Sequence, residues 1–113
     1  MTNSKAKGKR GELEWAKVLR ELGYGDARRG QQYDGRGQAD VIGGIPGTHC
    51  EAKRRETLSL YPAMEQAVRD AKPGEIPYVA CVKNRKPWLV VVRAGDLRAF
   101  ARAVLADELG DRP

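Results

Sequence analysis

Three acidic side chains and one lysine hold the chemical potential of this chain. Asp40 stands in Ala39-Asp-Val-Ile42, where a short strand would otherwise be apolar. Eleven residues further on, Glu51-Ala-Lys53 lies in a second strand-like stretch. Residues i and i+2 of a strand share a face, so Glu51 and Lys53 project together while Cys50 and Ala52 point into a core. Glu12 precedes Trp15 by three residues and Leu19 by seven, which sets it on the apolar face of a helix. Each group has an ordinary alternative. Glu12 suits a first helical turn, where the dipole favours an acid. Asp40 suits an edge strand or a turn facing water. Glu51 and Lys53 suit a solvated ion pair that adds little stability. Together these alternatives weaken. If strands 39–42 and 48–54 pair as a hairpin, Asp40 comes near Glu51, and two carboxylates at that range repel unless a cation sits between them. Mg²⁺ prefers oxygen and keeps several waters, so two carboxylates and a backbone carbonyl suit it. Lys53 is then placed to stabilise a phosphate oxygen or hold the attacking water. That is metal-assisted phosphodiester hydrolysis.

The elements that must position these groups follow from periodicity. The first residues hold Lys5, Lys7, Lys9 and Arg10 and no acid, which reads as a flexible basic arm over 1–8. From Lys9 to Leu22, Trp15, Val18, Leu19 and Leu22 form a helical stripe that ends at Gly23-Tyr-Gly25. Residues 26–37 are polar and glycine-rich, a short strand at most and then a mobile loop. Strands are expected at 39–42 and 48–54, joined by the hairpin-length Gly44-Ile-Pro-Gly47. A helix over 60–71 carries Tyr61, Met64, Val68 and Ala71 on one side and stops at Pro73-Gly74. The apolar run 77–82 suits a strand covered on both faces. A basic turn, Lys83-Asn-Arg-Lys-Pro87, leads to a strand at 88–92. Asp96 then caps a last helix whose stripe is Leu97, Phe100, Ala101, Val104 and Leu105. The order predicts an α/β fold: a mixed central sheet of four or five strands flanked by helices, in one domain over 9–109, with a frayed tail at 110–113.

Composition narrows the partners. The 113 residues carry 21 Lys and Arg against 15 Asp and Glu, a formal charge of +6. That balance points to a polyanion, and the segments that flank the carboxylates are themselves basic. Lys7, Lys9, Arg10, Arg28, Arg29, Arg36, Arg54 and Arg55 are the candidate DNA contacts; Lys5, Lys83, Arg85 and Lys86 add to the excess. Contacts of this kind grip phosphate without reading sequence. No apolar run reaches the roughly 20 residues of a membrane span, and no secretory signal opens the chain. Neither a glycine-rich dinucleotide fingerprint nor a Walker loop is present, so no nucleotide cofactor is expected. Cys50 and Cys81 read as reduced core thiols. One histidine, His49, and two cysteines do not by themselves make a zinc site.

The pattern of Asp40 followed by Glu51-Ala-Lys53 resembles the PD-(D/E)XK nuclease superfamily, with Ala39 in place of the proline of that name. Lys7-Gly8, Glu12, a helix ending in Gly23-Tyr24, and then Arg28 narrow the resemblance to the archaeal-type Holliday junction resolvases, over roughly residues 5–105. The resemblance implies a restriction-endonuclease-like core. It implies Asp40 and Glu51 as metal ligands, the Ala52 carbonyl completing the shell, Glu12 as a third active-site carboxylate acting on metal or water, and Lys53 as the catalytic lysine. Arg28, with Arg29 beside it, would bind phosphate. The implied cofactor is Mg²⁺, with Mn²⁺ as a substitute. The implied partner is branched DNA, a four-way junction cut by paired symmetric nicks. The implied assembly is a homodimer; the sequence does not single out its interface, for which the 88–92 strand and the last helix are candidates. The setting is the cytoplasm of a prokaryotic or phage-infected cell. Gln66 is a further candidate substrate contact, although its helical phase points away from the Tyr61/Met64 stripe. Two alternatives remain open: another branched-DNA or repair nuclease of the same superfamily, and a basic DNA-binding module without catalysis.

Overall fold

A computed structural model describes residues 4–30 and 39–106, with side chains from Gly8 onward. Arg36 with its 31–37 loop, the Lys7 side chain and the 110–113 tail lie outside the described residues. The elements follow the expected order: α1 (Ser4–Glu21), β1 (Arg28–Arg29), β2 (Val41–Ile42), β3 (Thr48–Arg54), α2 (Leu60–Asp70), β4 (Ile76–Val82), β5 (Leu89–Val91) and α3 (Leu97–Val104), the last preceded by a 3₁₀ turn at Ala94–Asp96. Among the described residues, no helix is long and apolar enough to cross a membrane.

The helix α1 starts at Ser4, so the backbone of residues 4–8 forms its start. Lys5, Ala6, Lys7, Lys9 and Arg10 are good helix formers, and no proline interrupts them. Trp15, Ala16 and Leu19 bury its inner face against Cys50, Ala52, Tyr78 and Ala80. Leu22 lies one residue past the helix end and is exposed.

The strands do not form one sheet of four or five. They divide into a mixed three-stranded sheet, β3-β4-β5, and a two-stranded antiparallel ribbon, β1-β2. Strands β3 and β4 are parallel, from Thr48 opposite Ile76 to Arg54 opposite Val82, and α2 makes the crossover between them. Strand β5 is antiparallel to β4, with Val79 opposite Val91. The expected hairpin of 39–42 with 48–54 shrinks to a single joint. The Asp40 N–H donates to the Cys50 carbonyl at 3.0 Å, while the Ala52 N–H turns to the Asp40 carboxylate instead of to a ladder carbonyl. Strand β2 takes its ladder partner from β1, pairing Val41 with Arg29 and Ile42 with Arg28. Gly43 is needed for that ribbon. Its φ is +74°, and a Cβ there would run into the carbonyl oxygen of Asp26.

Helix α2 covers the other face of the sheet through Ala63, Met64 and Ala67, against Val79. The expected stripe is rotated: Met64 is buried, but Tyr61 is 84% exposed and Val68 is exposed too. Two alanines let the helix axis approach the sheet, and Tyr61 is too large for that gap. Cys50 lies in the α1-side core and Cys81 against the α2-side core, so the two free thiols face opposite sides of the sheet. On α3, Phe100 meets the Tyr78 ring with centroids 5.4 Å apart, while Leu97, Val104 and Leu105 stay exposed. Asp96 occupies the cap position of α3, but its carboxylate accepts from Arg93 Nε at 2.8 Å and not from the helix.

Candidate active site

The site forms where β3 meets the loop entering β2. Strand alternation sends Cys50 and Ala52 into the core under α1 and turns His49, Glu51 and Lys53 toward α2. Glu51 is buried, with 1% of its surface exposed. Its Oε2 lies 3.0 Å from His49 Nε2. Lys53 Nζ donates to Gln66 Oε1 on α2 at 3.2 Å. Asp40 is buried beside the strand, and its Oδ2 accepts the Ala52 N–H at 2.9 Å. The N–H and C=O of one strand residue leave the same edge, so the Ala52 carbonyl also faces the Asp40 side, away from β4.

Asp40 records the convergence electrostatically. Burial pushes its carboxyl up to about 7, and the neighbouring charge of Glu51 pushes in the same direction. The Ala52 N–H pulls it down, Glu12 raises it further, and Lys53 lowers it. All four expected site residues therefore lie in one electrostatic neighbourhood. They are not one tight cluster. Glu12 sits on the buried face of α1 as expected, yet its Oε1 accepts from Arg29 Nε at 2.6 Å. Among the described residues, the three potential ligands that crowd closest are His49, Glu51 and Asp70, whose atoms lie within 4.8 Å of one another.

The basic residues separate into two groups. Arg54 is half-buried and committed: Nη1 meets Glu14 Oε2 at 3.1 Å, and Nη2 donates to Asn84 Oδ1 at 2.6 Å. It ties β3 to α1 and to the β4–β5 turn. Gly11 makes that contact possible, since a Cβ there would lie 3.1 Å from the Cβ of Arg54. Arg10 pairs with Glu14, one turn away on α1. Arg28 folds onto the Asp26 carbonyl at 2.9 Å, and Arg29 holds Glu12. Lys9, Arg28, Arg29 and Arg55 are exposed.

The chain matches no family model, no curated protein and no solved structure.

Gln66, a candidate whose helical phase was expected to point it away, is turned toward the site because the buried face of α2 is rotated from the expected stripe. His49 and Asp70 were not among the candidate site residues. His49 has the same strand parity as Glu51 and Lys53, a signal that was available in the sequence. Asp70 carries no such signal, because only the α2 crossover brings it over β3.

The donor set suits a hard divalent ion. Asp40 and Glu51 are buried carboxylates, and the charge of Glu51 helps to raise the Asp40 carboxyl; a cation between them relieves that repulsion. The Ala52 carbonyl is a third oxygen on the same edge. A lysine held by a neutral amide acceptor keeps its charge available for an anionic group.

Proposed function

We propose that the protein is a Mg²⁺-dependent, structure-selective DNA endonuclease of the PD-(D/E)XK type that resolves four-way junctions as a homodimer, with Mn²⁺ able to replace Mg²⁺. The observation that carries this reading is the buried Asp40 carboxyl at the edge of β3, acted on at once by Glu51, Glu12 and Lys53. Asp40, Glu51 and the Ala52 carbonyl would hold the ion, with Glu12 alongside. When bound, it supplies charge to polarise a phosphate and to acidify water. Lys53 contributes a fixed positive charge toward the phosphate oxygens, and Gln66 orients it. Glu12, released from Arg29, accepts a proton from the attacking water. Arg28, Arg29, Lys9 and Arg55 are exposed cations for the DNA backbone. Exposed Leu89 or Val90 on β5, or Leu97, Val104 and Leu105 near α3, offer apolar side chains to a second copy.

A nicking assay on a synthetic four-way junction tests the reading. Paired symmetric nicks with Mg²⁺, none with EDTA, and none by Asp40→Ala or Glu51→Ala are the expected results. Equal cutting of linear duplex would reject junction selectivity in favour of a broader nuclease. Metal-independent binding with no nicking under Mg²⁺ or Mn²⁺ would reduce the protein to a DNA-binding module. Retained cutting by both variants would overturn the site assignment.

A further inference from the structure

We propose that His49, Glu51 and Asp70 form a second cation site, for a borderline transition ion such as Zn²⁺, on the α2 side of β3. The inference stands apart from the nuclease reading, although Glu51 belongs to both sites.

The geometry comes from two elements. His49 and Glu51 are alternate residues of β3, so imidazole and carboxylate lie side by side, with Nε2 and Oε2 3.0 Å apart. Helix α2 ends at Asp70 over the same face, and the ligand atoms of all three residues lie within 4.8 Å of one another. Ligands around a tetrahedral Zn²⁺ at its usual bond lengths are about 3.4 Å apart, so only a small inward movement of Asp70 is needed. A fourth oxygen stands near: Glu75 Oε1 is 3.8 Å from His49 Nδ1. It fits the outer role of orienting a ligating imidazole through its second nitrogen.

Burial gives the cluster its need for a cation. His49 and Glu51 are 2% and 1% exposed. A carboxylate removed from water to that degree requires a compensating positive charge. An ion seated between His49 and Glu51 supplies that charge and gathers Asp70 as well. Access exists: a cavity of about 520 Å³ is lined by Thr48, His49, Glu75 and Tyr78, with Lys72 at its wall. The donor set separates this site from the Asp40 side. One nitrogen and two carboxylates suit Zn²⁺ or Mn²⁺, whereas Mg²⁺ favours oxygen alone. Three protein ligands leave a fourth coordination position for water.

The test is metal binding by the full-length chain, read without DNA. EDTA-stripped protein is titrated with Zn²⁺ by calorimetry and with Co²⁺ by visible absorption. One equivalent of saturable Zn²⁺ binding is expected, with Co²⁺ bands of a four- or five-coordinate N/O site. Affinity should fall about ten-fold or more in both His49→Gln and Asp70→Asn, and should persist in Asp40→Asn. Asp70 is only half-buried, so Asp70→Asn remains informative if His49→Gln fails to fold. No saturable binding by the parent chain would overturn the proposal. So would binding unchanged in Asp70→Asn, or binding lost in Asp40→Asn, which would place the ion on the other side of β3. Because cleavage is not read, failure of the nuclease reading leaves this result intact, and loss of Zn²⁺ binding leaves the nuclease reading intact.

Discussion

The Asp40 carboxylate accepts the backbone N–H of Ala52 at 2.9 Å, standing where a ladder carbonyl would stand in a continuous sheet. The side chain thus serves both the joint between β2 and β3 and the electrostatics of the site. These roles conflict when Asp40 ionises. Its carboxyl is raised from 3.8 to about 7, chiefly by burial and then by Glu51. The folded chain therefore holds a proton that the unfolded chain releases between those values. Stability contributed by Asp40 is full at the acid end of that window and is lost as pH rises through about 7. The upper bound of the loss is on the order of 4 kcal/mol. Asp40→Asn keeps an acceptor for Ala52 and removes the charge. Urea unfolding in EDTA should find the variant more stable than the parent at pH 8 and closely matched to it at pH 4. A parent advantage at pH 8 would contradict this account.

Trp15 and Tyr78 link α1 to β4 by more than packing. Trp15 Nε1 donates to the Tyr78 hydroxyl at 3.1 Å, and both residues are almost fully buried. Tyr78→Phe removes the oxygen acceptor and leaves the buried indole N–H only the weaker sulfur of Cys50. The expected cost is about 1 kcal/mol, the net worth of the lost hydrogen bond. Trp15→Phe in the same background removes the donor too, so part of that cost should be recovered relative to independent effects. A double-mutant cycle by chemical denaturation measures the coupling.

The two thiols differ in reactivity because they lie on opposite faces of the sheet. Burial pushes Cys50 far up, and burial also raises the less enclosed Cys81. In the native chain Cys81 should label slowly and Cys50 only on unfolding, as mass spectrometry after a timed alkylation would show. Mild oxidation should form no intrachain disulfide.

The sequence was most legible where one face of an element is decided by its own neighbours. Alternation in 48–54 set Cys50 and Ala52 against the core and Glu51 and Lys53 together, and the structure has them so. Glu12 was legible in the same way, since 12, 15, 16 and 19 share a helical face. The register between elements was harder to read. The Tyr61/Met64/Val68 stripe failed because two alanines let α2 approach the sheet through a different face. The single sheet failed because a side chain, Asp40, took over a ladder position, which no hydrophobic pattern encodes. The grouping of His49 with Asp70 depends on a crossover whose packing angle is a tertiary property.

Gly43 admits a sharp test of the β1–β2 ribbon. An L-residue at φ +74° is strained by about 1–2 kcal/mol, and the methyl of Gly43→Ala would also collide with the Asp26 carbonyl. A loss of about 2 kcal/mol or more is expected in thermal or urea unfolding. Gly47→Ala is the control. Its φ is +73°, but nothing lies within 4 Å of the added methyl, so only the conformational strain should appear.

Under the proposed nuclease function, Lys53 and Gln66 would separate a charge that acts on phosphate from a group that aims it. The amine donates to the Gln66 carbonyl oxygen at 3.2 Å from a half-buried position on β3. If Lys53 stabilises developing negative charge, Lys53→Met should lower kcat by about 10²–10³-fold, the scale seen when a single preorganised donor to a transition state is removed. DNA affinity should change little, because many other cations contribute to binding. Gln66→Ala leaves the charge but frees its aim. Its kcat should fall by a smaller factor, about ten-fold, with KM unchanged. Gln66→Glu restores an acceptor at the same place but pairs the ammonium with a negative charge, so it should recover only part of that loss. The pattern distinguishes orientation from direct contact. Were Gln66 a substrate contact, Gln66→Ala would raise KM, and the glutamate would weaken DNA binding further through repulsion of phosphate.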